Sequence, residues 1–207
     1  MNRTVFQRIA LFGGPLGLIA FGLAHPMSDP EVGDEANFFL LLHLILPILI
    51  ALMAYALWTL VDGLPGRAAK VARFAILPFV IAYTAFESII GTAKGILIVE
   101  SSDYSAADQD AIQRVFDGDH WAGYVVYVAA GLSWLVAAVA VAIAVRQVAP
   151  LYVSLLIGLG AAIFAVGHPK PFGPTGMTLF LVGVALLELR YRPQHETAEV
   201  HAAPKPA

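Results

Sequence analysis

The chain has 207 residues and a formal net charge of -3, with 59% hydrophobic residues, 13% charged residues and a mean hydropathy of +0.77. An ordinary soluble domain carries about 25% charged residues, so the composition excludes a water-soluble globular domain and points to a lipid bilayer. With no cysteine, a disulfide framework and a thiolate metal site are both excluded, and the redox compartment stays open.

A membrane-crossing helix needs about 20 mainly apolar residues. Six segments meet or approach that length: Ile9 to His25, Ala36 to Val61, Phe74 to Val99, Trp121 to Val145, Leu151 to His168 and Phe172 to Leu189. The expected fold class is therefore all-α, a polytopic membrane protein with a single bundle of six transmembrane helices over residues 1–192. Residues 193–207 are polar and rich in Ala and Pro, and read as a disordered cytoplasmic tail. Arg3 and Arg8, followed by an apolar run ending Gly22-Leu23-Ala24, also fit a secretory signal. Its removal would leave five spans with a basic C-terminus still inside, and the first helix is read as retained.

Between the spans, Asp62-Gly63-Leu64-Pro65-Gly66 is a helix-breaking turn followed by a basic cluster. Ser105-Ala106-Ala107-Asp108 is a capping pattern with Asp in place of the usual Glu or Gln. Ile112, Val115 and Phe116 then share a helical face and Gly118 is a stop signal, which together predict a short amphipathic outer-surface helix.

Basic residues are retained on the cytoplasmic side of a membrane. An internal N-terminus puts Arg3, Arg8, Arg67, Lys70, Arg73, Arg146, Arg190, Arg192 and Lys205 there, nine of the twelve Lys and Arg. The other face then carries Asp29, Glu31, Asp34, Glu35, Glu100, Asp103, Asp108, Asp110, Asp117 and Asp119 against only Arg114 and Lys170. The expected location is a bacterial-type inner membrane with both termini cytoplasmic. An acidic outer surface attracts cations and repels nucleic acid.

The third segment holds the most informative residue. Glu87 lies in an otherwise apolar stretch, and burying a charge at that depth costs roughly 2.5 to 3.5 kcal/mol on insertion scales, which makes it a functional candidate. Tyr83, Thr84, Glu87, Ser88, Gly91, Lys94 and Gly95 follow three-and-four spacing and so share one face. Gly91 and Gly95 let a neighbouring backbone approach. The structural alternative is interhelical hydrogen bonding by Glu87, with Lys94 snorkelling to the interface.

At 1.5 Å per residue, Glu87 lies about 10 Å below the outer boundary of a ~30 Å core, and His43 enters to about the same depth on the second span. Tyr127 on the fourth span is level with them. His25, His120 and His168 end three other segments at the outer interface, while His195 and His201 fall in the tail. For His25, His120 and His168 the structural alternative is bonding at a helix end or anchoring at the interface. His43 has no polar neighbour, and Pro47 frees its carbonyl by removing a backbone donor. His25 and His168 also end a weak internal match, Gly17 to Pro26 on Gly160 to Pro169, in which Gly, Phe, His and Pro recur.

These residues define the candidate sites: His43, Glu87, Tyr127, Lys94 and Tyr83 for a ligand, and His43, Glu87, His25, His120 and His168 for a metal. Three function classes fit. One is an outward-facing intramembrane His/Glu site that binds or conducts a small ligand or cation. Another is a membrane-embedded enzyme dependent on iron, zinc or haem, since imidazole and carboxylate suit such ions. The last is a non-catalytic subunit with a membrane-protein partner or a second copy of itself. No nucleophile elbow, phosphate-binding loop or repeated histidine box is present.

Overall fold

The computed structural model describes residues 3–26, 34–116 and 121–191, and their regular structure is helical throughout. Thr4 starts the first helix: its Oγ1 accepts from the Gln7 backbone N–H at 3.2 Å while the Gln7 side chain accepts from the Thr4 N–H at 3.0 Å. This reciprocal cap satisfies two donors that a helix start leaves orphaned. Helix α1 then runs Val5–Ala24. The others are α2 Asp34–Val61, α3 Gly66–Glu100, α4 Ala106–Phe116, α5 Trp121–Val145, α6 Leu151–Val166 and α7 Phe172–Tyr191.

Five helices, α1, α2, α3, α5 and α7, are long and apolar enough to cross a membrane. Helix α6, with 16 residues, is shorter. Its apolar segment extends to His168 in sequence, but the helix stops at Val166 because Gly167 takes an extended conformation and Pro169 and Pro171 follow. The short amphipathic helix forms as α4. Ser105 caps it, with its hydroxyl donating to Asp108 Oδ2 at 2.6 Å and accepting from the Asp108 N–H at 3.3 Å. Gln109 ties α4 to the end of α3 by donating to the Ser101 carbonyl at 3.0 Å. The expected stop at Gly118, His120 and the tail beyond Tyr191 lie outside the described residues.

The long helices close a ring in which α1 packs on α2, α2 on α3, α3 on α5, α5 on α6, α6 on α7 and α7 on α1. Small residues permit the closest approach. A Cβ on Gly160 would stand 2.5 Å from the Phe180 backbone nitrogen, and one on Gly176 would stand 2.5 Å from the Gly160 carbonyl, so α6 and α7 meet backbone to backbone. Inside the ring Trp134 is fully buried against Phe79, Phe164 and Phe180, and its indole N–H donates to the Ala161 carbonyl at 2.9 Å. Phe74, Leu77, Ile81, Ile48 and Leu155 stand exposed on the outside. The outside is thus apolar as well as the core, as a hydrocarbon solvent allows.

The two ends of the ring differ. At one end the Arg3 guanidinium pairs with both Glu188 carboxylate oxygens at 3.1 and 3.2 Å and donates to the Thr59 carbonyl at 2.9 Å. Gln147 donates to the Pro65 carbonyl at 3.0 Å at the same end, and the Tyr152 and Tyr191 hydroxyls meet there. The start of α1 and the end of α7 therefore lie together, beside the basic residues Arg67, Lys70, Arg73, Arg146 and Arg190. The opposite end gathers the last turn of α1 and the Gly167–Pro171 loop, where the Lys170 N–H donates to the Gly22 carbonyl at 3.2 Å.

Candidate functional site

The far end of the ring holds three histidines from three separate segments. His43 stands on α2, one turn after Phe39, and its Nδ1 lies 2.8 Å from the Phe39 carbonyl. A carbonyl only accepts, so in the neutral ring Nδ1 carries the proton and Nε2 keeps its lone pair. The His43 carbonyl, released by Pro47, lies 3.5 Å from the Thr92 hydroxyl of α3. His25 caps the end of α1, its N–H donating to the Phe21 carbonyl at 2.8 Å. Its Nδ1 lies 2.7 Å from the Pro26 carbonyl, which turns this ring to the same tautomer.

His168 arrives on the loop after α6, and small residues hold that loop in place. A Cβ on Gly22 would stand 2.5 Å from the His168 carbonyl, and one on Gly173 would overlap the same carbonyl. Only glycine at both positions lets the loop pass between α1 and α7. The result is a cluster in which His25, His43 and His168 each offer a ring nitrogen within 4.8 Å of the other two. The ring centroids are 5.2 Å apart for His25 and His43 and 5.1 Å for His25 and His168. Phe21 touches all three, with centroid distances of 5.5, 5.7 and 5.5 Å to His25, His43 and His168.

Glu87 completes the arrangement from α3. It opens a π-helical turn, Glu87–Ala93, a feature frequent at functional sites. The carboxylate is 1% exposed, with Oε2 3.8 Å from His43 Nε2 and Oε1 without a hydrogen-bond partner among the described residues. Gly91, one turn on, makes room for this pair: a Cβ there would overlap the His43 ring and stand 3.0 Å from Glu87 Oε2. Gly95 does the same for Leu40 of α2, at 3.2 Å. Lys94 is buried and turned inward, at 5% exposure, instead of reaching to the interface.

These side chains line one cavity of about 210 Å³ with His25, Phe39, His43, Phe86, Glu87, Ile90, Gly91, Lys94, His168 and Pro169 on its walls. Tyr83 and Tyr127 are not on the walls of this cavity. They line a separate cavity of about 30 Å³ with Trp134 and Phe164, and Phe86, tilted against Tyr127 at a ring-centroid distance of 5.5 Å, borders both spaces. Tyr127 does not line the cavity of His43 and Glu87, although depth alone places it level with them. His168 borders both cavities.

Sequence reasoning noted Phe21 only within the weak internal match and assigned none of Phe21, Phe39, Gly22 and Gly173 to the site. A signal was present: Phe21, Phe39 and Phe164 each precede a cluster histidine by one helical turn. Three imidazoles and one carboxylate lining one cavity form a donor set that suits zinc and other first-row divalent ions. Against family models, curated proteins and solved structures, the chain matches none.

Proposed function

We propose that this multi-pass membrane protein binds one divalent transition-metal ion, of the zinc or iron class, through His25, His43 and His168 with Glu87 as the fourth donor. The observation that carries this reading is the convergence of three ring nitrogens within 4.8 Å. An ion binding imidazole at about 2.0 to 2.1 Å draws its donors to roughly 3.4 Å of one another, so each ring moves by about an ångström. Two further features support it. The Nδ1 groups of His25 and His43 lie against backbone carbonyls, the outer contact that orients a metal-binding imidazole and fixes its tautomer. A buried carboxylate oxygen without a partner is what a cation would satisfy.

A bis-histidine haem needs its two ligands on opposite sides of a plane, whereas three imidazoles with ring nitrogens within 4.8 Å of one another favour a single ion. The six-span topology, with α6 as the shortest span, belongs to the same reading. The gathering of basic residues at the end holding Arg3 and Glu188 supports a cytoplasmic position for that end and, with it, a metal site in the outer half of the membrane.

Metal analysis of the detergent-purified protein, with an absorption spectrum, tests the proposal. About one ion per chain is expected after loading with Zn²⁺ or Co²⁺, with no Soret band. Binding should be lost in both His43→Ala and His168→Ala. Retention of stoichiometric metal in both variants, or none in the wild type, overturns it.

A further inference from the structure

An imidazole that binds a metal through one nitrogen gives the N–H of the other to an acceptor, which fixes the ring. His43 and His25 meet that need with the carbonyls of Phe39 and Pro26. His168 does not: among the described residues neither of its ring nitrogens has a hydrogen-bond partner. One of those nitrogens belongs to the histidine cluster, and the ring also borders the smaller cavity of about 30 Å³. Two residues on the wall of that cavity carry further unpaired polar groups. Tyr83, at 6% exposure, has a hydroxyl with no hydrogen-bond partner among the described residues. Ala165 has a carbonyl whose helical donor would be the N–H of residue 169, and Pro169 has none. A buried water needs about 10–15 Å³ of such space and two to four polar partners. The smaller cavity has room for one and three groups to hold it.

We propose that Tyr83 is a positioning residue for the metal site, acting through one water in the smaller cavity that accepts from the outer N–H of His168 and hydrogen-bonds to the Tyr83 hydroxyl. This rests on the metal-binding reading above and leaves its four donors as they are. The water does for His168 what a backbone carbonyl does for His43 and His25: it fixes the tautomer and the ring plane, and raises the basicity of the nitrogen that meets the ion. His168 needs such a device more than the other two, because it stands on the loop after α6 and not on a helix. Phe86, Trp134 and Phe164 enclose the water with apolar ring surface, so a hydrogen bond inside is stronger than one made in bulk solvent.

The test uses full-length protein in detergent and the variant Tyr83→Phe, which removes the hydroxyl and keeps the ring. Zn²⁺ affinity by isothermal titration should fall by roughly tenfold, the lower end of the range for groups that orient a metal ligand. The visible spectrum of the Co²⁺-loaded variant should shift, because the field at the ion changes. Tyr127→Phe removes an exposed hydroxyl from the same cavity and should leave both readouts at their wild-type values. A Tyr83 that only packs would lower the melting temperature of the metal-free protein and leave Zn²⁺ affinity and the Co²⁺ spectrum unchanged; that result overturns the proposal. Equal losses in the two variants overturn the assignment to Tyr83. A measurement on the wild type needs no variant to fold: in Zn²⁺-loaded protein carrying ¹⁵N-histidine, the His168 ring N–H should show a magnetisation-transfer peak to water, and its absence overturns the water bridge. Failure of the wild type to bind Zn²⁺ at all overturns the metal-binding reading itself.

Discussion

His25 and His168, from opposite ends of the chain, stand with ring centroids 5.1 Å apart in an edge-to-face contact. The glycines on either side make this contact: Gly22 just before His25 and Gly173 just after His168 leave the His168 carbonyl room to pass between α1 and α7. Closure of the helix ring at α1 and α7 is therefore also closure of the histidine cluster.

Gly91→Ala should separate helix stability from site geometry. Alanine favours a helix over glycine by about 1 kcal/mol, but its methyl group here overlaps the His43 ring. We expect metal affinity to fall by at least tenfold while the protein still inserts, with a net stability loss of about 1–3 kcal/mol from overpacking. Isothermal titration with Zn²⁺ and a thermal melt measure the two quantities. Wild-type Zn²⁺ affinity in this variant would mean that His43 does not ligate.

Glu87→Gln keeps size and hydrogen-bonding capacity but removes the charge. Since Oε1 is buried without a partner among the described residues, the metal-free protein should lose little stability, because a desolvated carboxylate is expensive to keep. Metal affinity should drop by roughly 10- to 100-fold, the scale of changes to groups around a bound ion. His43→Gln should give a similar defect, and the double variant little more than either, since groups in one network are non-additive. Additive losses of stability with unchanged metal binding would assign both residues to interhelical packing.

Topology is testable because the chain has no cysteine of its own. Cysteines introduced at Ser102 and Ala203 should be labelled by an impermeant maleimide from outside and from inside respectively. The motivating observation is the gathering of basic residues at the end where Arg3 meets Glu188. Labelling of both positions from the same side would reverse the parity of the spans.

The helical class and the lipid environment were legible in composition and in the length of apolar runs, because one helix needs only its own residues to satisfy its backbone in hydrocarbon. So was the inward face of α3: Glu87, Gly91, Lys94 and Gly95 share a face by helical periodicity alone, and a charge in a span must turn away from lipid. Depth could also be counted, which set His43 level with Glu87, and the pair lies 3.8 Å apart. Rise per residue carries no information about azimuth, however. Tyr127 has the right depth and lines another cavity, because the rotation of α5 is decided by Trp134 packing against Phe79 and Phe164. The cluster of His25, His43 and His168 likewise depended on which helices become neighbours. That choice is made by shape, through Gly22, Gly91 and Gly173 admitting backbone and ring atoms at distances where a methyl group would collide, and it exists only once α1, α2, α3 and α7 have packed.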